Sequence, residues 1–137
     1  MSFFDLFLND DKKIQKHQRR LTNRDSNPED REMSARWLVE NGTPRALYAL
    51  LTRFDMKLTH QMHDHDEKET LFQLIIQVGD PLLDPLKAWL RNCKQFPLPL
   101  RLYKEMTGEE NAVQMALDLL QFEYEKDDFK PNKKSMD

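Results

Sequence analysis

The chain has 137 residues, of which 39% are hydrophobic and 33% charged, and its formal net charge is −3. This length suits one domain with its own core, and the abundance of Leu with only three glycines favours helices over a sheet. The acidic balance argues against a nucleic-acid interface, which is normally basic, and a single cysteine, Cys93, rules out an internal disulfide. Since no apolar run approaches the length that spans a bilayer, and the first residues do not resemble a secretory signal, we expect an all-α cytoplasmic protein.

The first predicted helix spans Phe3 to about Leu21, and we assign residues 1–24 to an N-terminal amphipathic capping helix. Its start carries three aromatic residues, Phe3, Phe4 and Phe7, and lysines and arginines follow them. These rings either cover the open end of a helical stack, as terminal repeats require, or form an amphipathic foot for a membrane surface or a partner. Both interpretations stay open on the sequence alone.

A helical hairpin is predicted around Gly42. The helix before it begins at Pro28, a residue that suits the first helical position. Gly42 can adopt the left-handed conformation that closes this helix, Thr43 can cap the next one, and Pro44 can begin it. The second helix should bury its leucines and leave the other face outside, with Arg45, Tyr48 and Thr52.

The glycine turn returns at Gly79, 79 − 42 = 37 residues later, and again at Gly108, a further 108 − 79 = 29 residues on. A period of this size is typical of stacked helix pairs. Helices are predicted over about 67–78, 81–93 and 109–124, with a shorter one after Phe96. The helix over 67–78 is apolar around so much of its circumference that it should be the central one. The last helix should bury Val113, Ala116, Leu117 and Leu120, and residues 123–137 are expected to form a disordered charged tail.

At these Gly-x-Pro turns the chain resembles the bacterial HEAT-like repeat proteins of the PBS-lyase type, in which a helix with Ala and Leu ends at Leu-x-x-x-Gly-x-Pro. The matching residues are Ala35, Leu38, Gly42, Pro44, Ala46, Leu50 and Leu51, then Leu74, Ile75, Gly79, Pro81, Leu82 and Leu86. The resemblance implies a repeat domain over residues 25–122, folded as a short right-handed solenoid of antiparallel helix pairs. It also implies a concave surface that binds a partner, and it brings no catalytic residues. The insertion from Asp55 to Asp66 departs from the pattern.

The main functional hypothesis is therefore a non-enzymatic adaptor or scaffold that needs no cofactor and binds a protein through this concave face. Tyr and Arg are typical anchors of protein interfaces. A DNA-binding or DNA-repair protein on the same fold would need a denser set of basic residues. The candidate partner-binding residues are Arg45, Tyr48, Thr52, Lys87, Trp89 and Arg91.

The segment from His60 to Glu69 supports an alternative, a metal-binding or metal-responsive protein. Imidazoles and carboxylates crowded in a predicted loop are suitable ligands for zinc or nickel. Their spacing matches no helical metal motif, and the same acids can instead cap the helix that follows. The candidate ligands are His60, His63, His65 and Asp66.

Overall fold

The computed structural model describes the backbone of residues 3–128 and the side chains of residues 10–125. This part of the chain is all-helical and forms no strand, which confirms the predicted class. The α-helices are α1 (Phe3–Leu21), α2 (Pro28–Asn41), α3 (Pro44–Leu51), α4 (Gln61–Ile76), α5 (Leu83–Asn92), α6 (Pro97–Thr107) and α7 (Glu109–Asp128). Short 3₁₀ helices occupy Thr52–Asp55 and Asp80–Leu82. Within the described residues, none of these helices combines the length and the apolar character that crossing a membrane requires.

The turn between α2 and α3 forms as the sequence predicts. Gly42 has a φ of +66°, in the left-handed region, and its N–H donates to the carbonyl of Leu38 at 3.1 Å. The hydroxyl of Thr43 accepts the N–H of Ala46 at 3.2 Å, and Pro44 is the first residue of α3. The glycines at 79 and 108 also have positive φ angles, +78° and +100°.

Helix α3 is the central element of the core. Its residues Ala46, Leu47, Ala49, Leu50 and Leu51 are all buried, because α1, α2 and α5 pack around it. Small side chains in α3 let neighbouring helices approach closely on more than one side. The prediction that the helix after the histidine segment would be central is therefore wrong. That helix, α4, packs against α6 and only sparsely against α2.

Helix α1 packs against α2 and α3, so the N-terminal segment is part of the described fold. Ile14 and Leu21 are buried in the core. The imidazole of His17 stacks on Trp37 with 4.4 Å between ring centroids, and its Nδ1 lies 3.0 Å from the Ser34 hydroxyl. The side chains of the aromatic cluster at residues 3, 4 and 7 lie outside the described side chains.

Two helix boundaries differ from the predicted ones. Helix α4 begins at Gln61, because the side chain of His60 caps it and accepts the N–H of His63 at 3.3 Å. Helix α7 continues to Asp128, beyond the predicted start of the tail at residue 123. No glycine or proline interrupts the sequence between Glu109 and Asp128, so nothing local ends the helix earlier.

Candidate functional site

Two of the predicted partner-binding residues, Arg45 of α3 and Thr52 of the 3₁₀ helix that follows it, contact α1. A guanidinium nitrogen of Arg45 lies 3.3 Å from a carboxylate oxygen of Asp11. The amide nitrogen of Gln18 donates to the hydroxyl of Thr52 at 3.3 Å, and that hydroxyl donates in turn to the carbonyl of Ala49. Helix α1 therefore occupies part of the face that the sequence assigned to a partner.

The two predicted aromatic anchors contact each other. Tyr48 and Trp89 form an edge-to-face pair with 5.5 Å between ring centroids and an interplanar angle of 86°. Trp89 is only 6% exposed, and its indole N–H has no hydrogen-bond partner among the described residues. Lys87 and Arg91 of α5 do remain exposed. Of the six candidates, Trp89 is buried, Tyr48 and Thr52 are partly exposed, and Arg45, Lys87 and Arg91 are exposed.

The four candidate metal ligands lie at the start of a helix and not in a loop. The rings of His60 and His63 stack with 4.0 Å between centroids, while His65 and Asp66 are exposed on α4. Among the described residues, no three side chains of His, Cys, Asp or Glu are grouped closely enough to hold a metal ion. Within the described part of the chain, the arrangement brings together the two imidazoles of His60 and His63 without a third ligand. The metal-binding alternative stays a prediction.

Sequence reasoning missed a network of five charged side chains, which we call the ion network: Arg31, Arg53, Asp64, Glu67 and Lys68. Its three cations are buried and its two carboxylates are partly exposed. Arg31 forms a bidentate ion pair with Glu67, with Nε 2.7 Å from Oε1 and Nη2 3.0 Å from Oε2. Arg53 is 0% exposed and reaches Glu67 and Asp64, each at 3.0 Å. Lys68 Nζ lies 2.8 Å from the other oxygen of Asp64. Each buried charge has an oppositely charged partner, which is the condition for burying charge in a protein.

The ion network also holds the loops on either side of it. Arg31 donates to the carbonyls of Asn23, Arg24 and Ser26 in the loop between α1 and α2. Arg53 donates to the carbonyl of Met56 at 2.8 Å, and Asp64 accepts the N–H of Leu58 at 3.1 Å. Both hydrogen bonds fix the segment before α4. The ion network therefore joins α2, the 3₁₀ helix that carries Arg53, α4 and the two loops.

Both carboxyl groups of the ion network have pKa values below their usual range. Burial acts to raise the pKa of Glu67, but hydrogen bonds and charge from Arg31 and Arg53 outweigh it and lower the pKa. Burial opposes the change at Asp64 too, where hydrogen bonds from Lys68, the Leu58 amide and Arg53 lower the pKa. Both groups are thus held ionised, which suits a structural role better than proton transfer near neutral pH.

A cleft of about 570 Å³ opens between α2 and α4 beside the ion network. Apolar residues that include Leu21, Ala35 and Leu74 line it. Its charged lining is balanced, with Arg31, Arg36 and Arg53 against Glu32, Asp66 and Glu67. The cleft therefore shows no preference for an anionic or a cationic ligand.

The exposed apolar surface of the molecule is concentrated on α7. The predicted inward face of α7 is wrong at three positions, since Val113, Leu117 and Leu120 are exposed. With Tyr124 they form an outward row that we call the α7 stripe, spaced four, three and four residues apart. This spacing places all four side chains along one side of the helix. A neighbouring side of α7 is buried and includes Ala112 and Leu119. The helix that packs most extensively against α7 is α6.

A shallow groove of about 370 Å³ runs between α6 and α7 and continues the α7 stripe. Pro97 and Leu100 of α6 line one wall, and Ala112, Val113 and Ala116 of α7 line the other. Val113 belongs to both features, so the apolar surface is continuous from the groove onto the stripe. We refer to the groove and the α7 stripe together as the α6–α7 surface.

Comparison of the chain with protein-family models, with curated proteins and with solved structures finds no match. The resemblance to HEAT-like repeats therefore stays a prediction from the turn residues.

Proposed function

We propose that the protein is a non-enzymatic adaptor built from HEAT-like helix pairs, and that it binds an amphipathic helix of a partner protein through the α6–α7 surface. The observation that carries this proposal is the α7 stripe. Contiguous exposed apolar side chains of this kind usually mark an interaction site. The residues of the stripe also follow the alternating spacing of three and four by which one helix packs against another.

The position of the stripe in the fold supports the same proposal. In an array of helix pairs each pair is covered by the next one, and a terminal pair needs a polar outer face. Helix α7 is the last described helix and packs against α6, yet its outer side carries Val113, Leu117, Leu120 and Tyr124. A partner helix lying along this side would occupy the place of a further helix in a short right-handed solenoid.

A second copy of the same chain fits the surface poorly. Between Glu109 and Glu125, helix α7 carries five carboxylates and no Lys, Arg or His. Two α7 helices packed face to face would bring ten like charges together, which disfavours self-association. The five residues are Glu109, Glu110, Asp118, Glu123 and Glu125.

The test compares two double variants as baits. Leu117→Glu/Leu120→Glu places charge in the α7 stripe, and Arg45→Glu/Arg91→Glu places charge on the face that the sequence favoured. A partner captured from native lysate and then purified should bind the wild type and the second variant, and should lose at least tenfold in affinity for the first. Helical circular dichroism serves as the folding control for both baits.

If only the Arg45/Arg91 variant loses binding, the partner binds the face formed by α3 and α5, and the α6–α7 surface is not the site. Sedimentation of the wild type provides a second check, because the protein should be monomeric at micromolar concentration. A dimer that the Leu117/Leu120 variant dissociates would make a second copy the occupant and overturn the proposal.

A further inference from the structure

We propose that the partner helix is basic, with Lys or Arg beside its apolar face, an inference that rests on the proposed function. The carboxylates that flank the α7 stripe would select this helix. The exposed acids Glu110, Asp118 and Glu125 lie on the solvent side of the stripe. Successive residues of a helix are rotated by about 100°, so these three acids lie beside the stripe, on its side farther from α6. A helix docked on the stripe would therefore bring one flank close to them.

Between Glu109 and Glu125, the part of α7 whose side chains are described, no Lys, Arg or His accompanies these acids. Asp118 and Glu125 accept hydrogen bonds from neutral glutamines four residues earlier, Gln114 at 2.9 Å and Gln121 at 3.0 Å. These bonds orient the two carboxylates, and a neutral amide donor does not cancel their charge. Among the described side chains, neither Glu110, Asp118 nor Glu125 takes part in an ion pair. In the ion network, by contrast, every carboxylate is paired with a cation.

The edge of the α6–α7 surface that α6 forms is basic, so it limits where the partner helix can carry positive charge. Arg101 and Lys104 of α6 line the groove. The guanidinium of Arg101 is engaged, because it pairs with Glu69 at 2.7 Å and lies 4.2 Å over the ring of Phe72. Lys104 has no ion-pair partner among the described side chains, so basic residues should be confined to the flank of the partner that faces α7. Oppositely charged flanks fix partner choice and orientation more than they add affinity.

The experiment uses three synthetic helical peptides of equal length that share one apolar face of leucines and carry Lys, Gln or Glu along one flank. Binding to the full chain is measured by fluorescence anisotropy at low and at high salt. We expect the Lys peptide to bind about tenfold more tightly than the Gln peptide at low salt, since a few exposed ion pairs together amount to about this factor. The Glu peptide should bind most weakly, and high salt should narrow all three differences.

Two variants assign the effect to residues. Asp118→Lys/Glu125→Lys should reverse the order, so that the Glu peptide binds more tightly than the Lys peptide. The matched control, Asp25→Lys/Glu40→Lys, makes the same change in net charge at exposed acids outside α6 and α7 and should keep the original order. If the control reverses the order as well, net charge and not the flank of α7 selects the peptide, and the inference is overturned.

The outcomes separate this inference from the proposed function. If the Lys and Gln peptides bind equally and Leu117→Glu/Leu120→Glu abolishes both, the surface binds helices without charge selection and only the inference fails. If no peptide binds, or if the Leu117/Leu120 variant binds them as the wild type does, the α6–α7 surface is not a helix-binding site and both proposals fail.

Discussion

The ion network and the α6–α7 surface place their side chains in opposite environments. In the network, Arg53 is 0% exposed and has carboxylate partners on Glu67 and Asp64 at 3.0 Å. On α7, Leu120 is an apolar residue that is 67% exposed. Charge that is buried and paired needs nothing from outside the chain, whereas an apolar row in water gains free energy only when another surface covers it. The ion network therefore satisfies its charges within the fold, whereas the α7 stripe leaves apolar side chains exposed.

The largest effect on stability is expected from removing Arg53, the central cation of the ion network. Arg53→Ala should lower the free energy of unfolding by about 3 kcal/mol, because it removes a fully buried side chain and leaves the partly buried Asp64 and Glu67 with fewer partners. Urea unfolding followed by circular dichroism measures the loss. The control is Arg91→Ala, which truncates an exposed arginine of α5 and should change stability by less than about 0.5 kcal/mol. Similar losses in the two variants would mean that the network does not hold the fold.

A second prediction compares neighbouring leucines of α7. Leu119 is 7% exposed and Leu120 is 67% exposed. Leu119→Ala should cost about 2–3 kcal/mol of unfolding free energy, because truncating a buried leucine opens a cavity. Leu120→Ala should cost less than about 0.5 kcal/mol and weaken only partner binding. Equal costs would show that the α7 stripe is covered within the isolated chain, which would remove the basis of the proposed function.

This pair of leucines also shows what the sequence could and could not predict about α7. The apolar residues of this helix fall on two neighbouring sides, and periodicity selects the side with the larger residues, Val113, Leu117 and Leu120. The buried side of α7 instead includes Ala112 and Leu119, and α6 is the helix that packs most extensively against α7. Periodicity finds an apolar side, but it does not tell whether a neighbour in the same chain covers it.

Turns were predictable because their physics is local. The left-handed conformation of Gly42, the cap from Thr43 and the first helical position of Pro44 each depend on residues within one turn. The ion network was not predictable for the opposite reason. Arg31 and Glu67 are 36 residues apart in the chain, and Arg53 and Glu67 are 14 apart. In the sequence, such residues look like ordinary solvent-facing charges.

A third prediction concerns pH and the ion network. The pKa values of Asp64 and Glu67 are lowered in the folded state, so the unfolded chain binds protons at these groups more readily. Their contribution to stability is therefore complete above the ordinary carboxyl pKa of about 4 and is lost as the pH falls through that value towards the folded pKa. Urea unfolding at pH 7, 5 and 3.5 should show this decline. Its extent should be smaller than the effect of Arg53→Ala, because a protonated carboxyl still accepts hydrogen bonds.

Comparison with Glu67→Gln isolates one carboxyl group. The variant should start from a lower stability at pH 7 and lose less between pH 5 and 3.5, because one shifted group has been removed. If the wild type and the variant show parallel curves, the acid sensitivity comes from carboxylates elsewhere in the chain.

A small effect is expected at Trp89. Its polar N–H is buried and has no partner among the described residues, whereas each charge of the ion network has one. Its indole N–H has no acceptor among the described residues, although the ring is only 6% exposed and packs edge-to-face on Tyr48. Trp89→Phe removes the unpaired N–H, which favours the variant, and shrinks the ring, which weakens its packing. The two effects oppose each other, so the unfolding free energy should change by less than about 1 kcal/mol. A loss of 3 kcal/mol or more by circular dichroism would mean that the Trp89 N–H does find an acceptor, such as a bound water, in solution.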